Sequence, residues 1–187
     1  MKFIIGFLVT IGLLIVVFIL IFRGASHNNQ TVQTVPKLID YANSTKVVQL
    51  TKEGPVNADQ THDEVRITVS NMETAVEVFK GYNNDLVSSK PYPNNSAAYA
   101  DFLAALDRAG YTKGDTTKSL ADERGACSSG VRYVMGIKDG DKDIQRFWAS
   151  TCGSKIGTSK GVTDTIVHLF VAQVPDYVSV TSSVRSF

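Results

Sequence analysis

Two cysteines and three histidines are the side chains of widest chemical reach in this 187-residue chain. Cys127 or Cys152 activated by His62 or His168 would make a thiol nucleophile, which requires a free cysteine of lowered pKa beside a base. Zinc would require cysteines and histidines paired at ligand spacing, and the sequence supplies no such pair. The spacing favours a bridge between the cysteines instead.

Both cysteines lie in CSSGVRYVMGIKDGDKDIQRFWASTC, where Asp139-Gly140 is a strong signal for a two-residue hairpin turn. With that turn, paired positions sum to 279, and Cys127 with Cys152 satisfies the sum. The same register sets Val131 opposite Trp148, Tyr133 opposite Arg146 and Met135 opposite Ile144, on the face that carries the cysteines. These fall at non-hydrogen-bonded pairs, where side chains approach closely enough for a cross-strand disulfide. A bulge near Ser128 or Gly130 would shift the outer register. Closing a loop of this size adds roughly 3 kcal/mol in the chain-entropy picture. The bridge leaves no thiol for catalysis, and His168 falls off the apolar stripe of its helix as a solvated surface residue.

The other hairpin face would carry Arg132, Val134, Gln145 and Phe147. Arg132 and Phe147 form a candidate partner patch, a stacked cation and ring on the surface, with burial under a helix as the alternative. Asp139, Asp141 and Asp143 suggest a calcium cage, but an EF-hand needs glycine and glutamate where Ile144 and Ser150 stand. Gly153 to Gly161 resembles a phosphate cradle without P-loop spacing, and reads as a connection into a helix. Asp122 and Glu123 are adjacent carboxylates beside Arg124, which suits a local salt bridge better than an acid/base pair. No catalytic, cofactor or metal set is assigned.

The elements that hold these residues read as α+β. Pro36 opens a short helix with Leu38, Ile39 and Ala42 at helical spacing. Four β-type runs follow: Val47 to Lys52, the alternating VRITVS from Val65, AVEVFKGY, and LVSSKPY up to Pro91 and Pro93. Asn94-Asn95-Ser96 then caps a helix with the stripe Tyr99, Phe102, Leu103 and Leu106, and Gly110 ends it. Residues 111 to 126 make a long polar connection. After the hairpin, a helix from Thr163 buries Ile166, Val167, Leu169, Phe170 and Val174 until Pro175 stops it. The expected domain spans residues 36–178, with a frayed tail or short edge strand at 179–187. Its architecture is an antiparallel sheet of about five to six strands with helices packed on one face.

Ahead of this domain, residues 3–22 read FIIGFLVTIGLLIVVFILIF, twenty residues without a charge. As a helix they span roughly 30 Å, one bilayer crossing. A cleaved signal peptide is the alternative, but the run is long and Arg23 suits a cleavage site poorly. No cysteine follows to accept a lipid. Residues 24–35 form a polar stalk. Flanking charge barely orients the span, whereas a disulfide needs an oxidising compartment, so the domain is expected outside the cytoplasm. Setting aside Lys2 and Arg23 from the 19 basic residues leaves a balance of −1 against 18 acidic ones, with no basic field for nucleic acid.

Over most of residues 36 to 178 the chain resembles an uncharacterised group of small membrane-anchored proteins from candidate-phylum, very small-celled bacteria. The likeness rests on Asp122-Glu123-Arg124-Gly125, Cys127, Gly130, Arg132-Tyr133, Trp148, Cys152-Gly153, Gly157-Thr158, Leu169-Phe170 and Gln173 with Pro175-Asp176-Tyr177. It implies a bacterial surface setting and no mechanism. The leading expectation is therefore a single-pass, non-catalytic envelope module that binds a protein or cell-wall partner. An envelope hydrolase whose site assembles only in the fold, and a periplasmic inhibitor or assembly subunit, are the alternatives.

Overall fold

The computed structural model describes residues 37–117, 121–153 and 156–184. The expected span at 3–22 and the stalk lie outside these residues. Among the described residues no helix is long and apolar enough to cross a membrane.

Among the described residues six strands form one antiparallel sheet: β1 Val47–Glu53, β2 Asp63–Val69, β3 Glu73–Lys80, β4 Asp85–Pro93, β5 Arg132–Asp139 and β6 Lys142–Ser150. Their spatial order is β4-β3-β2-β1-β5-β6, so the chain meanders outward from β1 and later returns to pair β5 along its other side. Between the two halves runs α1, Ser96–Arg108; α2, Thr163–Val171, and the short α3, Tyr177–Val180, follow β6. The α+β architecture read from the sequence holds. The helix expected after Pro36 is a single 3-10 turn, Leu38–Tyr41.

Alternation explains the core. Val48 and Leu50 of β1, Val65, Ile67 and Val69 of β2, Val76 and Val78 of β3, and Met135 and Ile137 of β5 share one sheet face. They pack in one cluster with Tyr99, Phe102, Leu103 and Leu106 of α1 and with Ile166 and Phe170 of α2. Each large side chain buried this completely contributes about 1.5–3 kcal/mol. Phe102 meets Phe170 edge-on at 5.2 Å between ring centroids. Asn95 caps α1 by accepting from the Ala97 and Ala98 amides. The Tyr111 hydroxyl lies at 2.8 Å from the Gln49 carbonyl and 2.7 Å from that of Gly136, linking β1 to β5 from the helix side. Val180 and Val184 pack against the core, so the segment expected to fray from residue 179 is held down to Val184.

The hairpin register differs from the expected one. The turn is Gly140-Asp141, with Asp139 opposite Lys142, and Gly140 takes φ +59°, which suits glycine at the first loop position. An irregularity between Ile137 and Lys138 then sets Met135 opposite Phe147, Val134 opposite Trp148 and Arg132 opposite Ser150. The expected pairs Val131–Trp148, Tyr133–Arg146 and Met135–Ile144 do not form. The disulfide does: Cys127 and Cys152 are bonded, with Cα atoms 5.5 Å apart. Both cysteines lie beyond the strand ends, so loops rather than cross-strand pairing bring them together.

The altered register also separates the candidate patch. Phe147 falls on the helix side and Arg132 on the opposite face, 6% and 3% exposed respectively. The Phe147 ring lies where a side chain at Gly114 would stand, 2.3 Å from that ideal Cβ, so only glycine lets the chain cross there.

Candidate binding cleft on the open sheet face

The sheet face turned away from the helices carries polar and charged side chains that the registers arrange in rows. One row runs Phe79, Glu64, Glu53, Arg132 and Ser150 across β3, β2, β1, β5 and β6. The next runs Glu77, Arg66, Thr51, Val134 and Trp148, and the third Ala75, Thr68, Gln49, Gly136 and Arg146. The second and third rows are neutral at β1 and β5, with Thr51, Val134, Gln49 and Gly136, whereas the first carries the Glu53–Arg132 pair there. Neighbouring strands lie about 4.8 Å apart, so Arg66 and Arg146, three strands and one row apart, rise from positions separated by roughly 16 Å.

Over these rows the surface sinks into a cleft of about 500 Å³. That volume is within the range of roughly 300–1,000 Å³ usual for small-molecule sites. Gln49, Thr51, Val134 and Gly136 line it, with Arg66 and Glu64 on one side and Arg146, Glu123 and Arg124 on the other. His62 and Tyr82 close one end, their rings stacked at 4.1 Å.

Each wall is fixed from behind. Arg132 donates through Nε to Glu53 at 2.9 Å and through its terminal nitrogens to the Gly54 and Ala126 carbonyls. It therefore clamps the β1–β2 connection to the disulfide loop, which the Val56 amide also joins by donating to the Ser128 carbonyl. Arg146 donates to Glu123 at 2.6 Å and to the Ala121 carbonyl. Arg66 donates to Glu64 at 2.6 Å, and its guanidinium lies 4.4 Å from the Phe79 ring centre. Burial is the largest influence on Glu64 and pushes its carboxyl above the ordinary range, against the opposing pull of Arg66. Exposed Asp122, bonded to the Arg124 side chain, is held well below that range.

Gly136 stands at the middle of the floor. A Cβ added there meets only the Gln145 carbonyl oxygen, at an ordinary 3.6 Å, so neither packing nor a positive φ requires glycine at this position. A glycine inside a strand costs roughly 0.5–1 kcal/mol relative to alanine and often marks close approach of a ligand or another backbone.

The residues singled out by chemistry do not converge. His62 lines the cleft, its Nδ1 3.3 Å from the Pro55 carbonyl oxygen, while His168 is exposed on α2. Cys127 and Cys152 are spent in the bridge. Asp122 and Glu123 part company, the first binding Arg124 and the second Arg146, so the local salt bridge is real but belongs to Asp122. Asp139 pairs with Lys46 and Asp143 with Lys138. Sequence reasoning missed Glu53, Glu64, Arg66, Arg146 and Gly136. The available signal was the glycine interrupting the apolar run of YVMGI.

No protein-family model matches the chain, and no curated protein matches its sequence. The site itself carries the functional reading.

Proposed function

We propose that this chain is a membrane-anchored binding module, held by residues 3–22, whose extracytoplasmic domain takes a polar envelope ligand in the open-face cleft. One observation carries the reading: a cleft of about 500 Å³ has braced arginine–carboxylate walls and a floor left clear by Gly136. Bracing of this kind lowers the ordering cost of binding. The Cys127–Cys152 disulfide supports an oxidising, extracytoplasmic setting. The uncharged run FIIGFLVTIGLLIVVFILIF supports the anchor.

The test is retention of the full chain, reconstituted in lipid nanodiscs, on isolated cell-envelope material. Wild type is retained, and Gly136→Val, which fills the floor, loses retention at unchanged thermal stability. Equal retention of both proteins would refute the cleft as the site.

A hydrolytic site is the second reading, favoured by His62 at the cleft. Its ring is committed to Pro55 and Tyr82, and Glu53, Glu64 and Glu123 are each engaged by an arginine. Turnover of an envelope substrate by the purified chain would overturn the binding reading in favour of this one.

A further inference from the structure

The cations on the cleft walls are already neutralised. Arg66 holds Glu64, Arg132 holds Glu53, Arg146 holds Glu123, Arg124 holds Asp122 and Lys138 holds Asp143. Fixed pairs of this kind present no net field to concentrate a polyanion. They offer planar donors and acceptors side by side in set directions.

Among the described residues Arg66 Nε and Glu123 Oε2, a donor in one wall and an acceptor in the other, are buried without a hydrogen-bond partner. Walls that set donors beside acceptors match a group that both donates and accepts, as a hydroxyl does and a carboxylate or an ammonium group does not. Between the walls the floor is uncharged at Gln49, Thr51, Val134 and Gly136, the neighbouring Glu53 and Arg132 neutralise each other, and the half-exposed Tyr82 ring stacks on His62. An aromatic ring at the rim of a polar trough matches a ligand with hydroxyls around its edge and C–H groups on its faces.

We propose that the cleft binds a neutral, hydroxyl-rich chain, an oligosaccharide segment of an envelope glycan. The glycan lies over Gly136 between the Arg66–Glu64 and Arg146–Glu123 pairs. This inference rests on the cleft being the binding site and adds the chemical class of its ligand.

The test is calorimetric titration of the full chain in nanodiscs with two sets of probes. One set holds neutral oligosaccharides of glucose, mannose, galactose and N-acetylglucosamine, and the other the corresponding uronic-acid oligomers. At least one neutral oligosaccharide binds saturably, with affinity changing less than about twofold when salt is raised enough to screen surface charge. Gly136→Val weakens that binding at least tenfold while its melting temperature is no lower than wild type. Salt-sensitive binding of uronic-acid oligomers alone, still abolished by Gly136→Val, overturns the neutral-ligand class and leaves the cleft standing. Neutral oligosaccharides that bind wild type and Gly136→Val equally overturn the cleft reading. Absence of binding by every neutral probe overturns the inference.

Discussion

Replacing Cys127 and Cys152 together by alanine isolates what the bridge contributes. The cysteines are 25 residues apart, and in the chain-entropy picture a loop of that length stabilises by about 3.5 kcal/mol at room temperature, through the unfolded state. The native loop keeps other ties: Arg132 to the Ala126 carbonyl, Arg146 to Glu123, and the Val56 amide to the Ser128 carbonyl. The folded sheet therefore survives, and the loss appears as cooperative unfolding at lower denaturant. Urea unfolding followed by fluorescence of Trp148, the single tryptophan, provides the assay. With a slope of about 2 kcal/mol per molar urea, the midpoint falls by roughly 1.7 M. The slope itself rises, because the unbridged unfolded chain exposes more surface. Wild type under reducing conditions should match the double variant. A stability loss below about 1 kcal/mol would show that the loop is fixed by its other ties and that the bridge adds little.

Three further perturbations probe the walls and the sheet. Arg132→Met removes the clamp and leaves Glu53 without its cation, so urea unfolding should register a loss of about 3 kcal/mol, and a neutral result would contradict the clamping role. Burial raises the Glu64 carboxyl above 4.5, so the folded chain binds that proton more tightly than the unfolded chain does. The resulting contribution is fully present below about pH 4.5 and is lost as pH rises through the raised pKa. Stability of wild type relative to Glu64→Gln therefore falls as pH climbs through that window, and a flat or rising difference in pH-dependent unfolding would count against it. Tyr111→Phe removes the hydroxyl that links the β1 and β5 carbonyls and should cost about 1 kcal/mol by thermal unfolding, with no loss meaning that the strands close the gap themselves.

The strands of the meander were legible because Val65, Ile67 and Val69 alternate with polar neighbours and each strand faces one core. Helix α1 was legible because its cap, its stripe and Gly110 agree. The disulfide was legible as a pairing, but its supposed geometry was not. The turn sits one residue later than Asp139-Gly140, and the irregularity at Ile137/Lys138 moves the register again. The net shift is odd, and an odd shift exchanges the faces of one strand relative to its partner. Phe147 thereby joined Met135 in the core side while Arg132 and Trp148 turned the other way. The cleft was not legible because its walls come from β1, β2, β5, β6 and the loop at Glu123, brought together only by strand order. Arg66 and Glu64 stand at alternate positions of one strand, a spacing that does not by itself mark a wall, and their companions carry no local pattern.

In the proposed function the open sheet face, and not the helix side, meets the ligand. Hydrogen–deuterium exchange of the full chain in nanodiscs, with and without solubilised envelope glycan, tests it most directly. Binding should slow exchange in the segments that rim the cleft, residues 54–62, 81–84 and 121–126, while α1, α2 and the β4 edge stay unchanged. Protection confined to α1 and α2, or to β4, would place the ligand elsewhere.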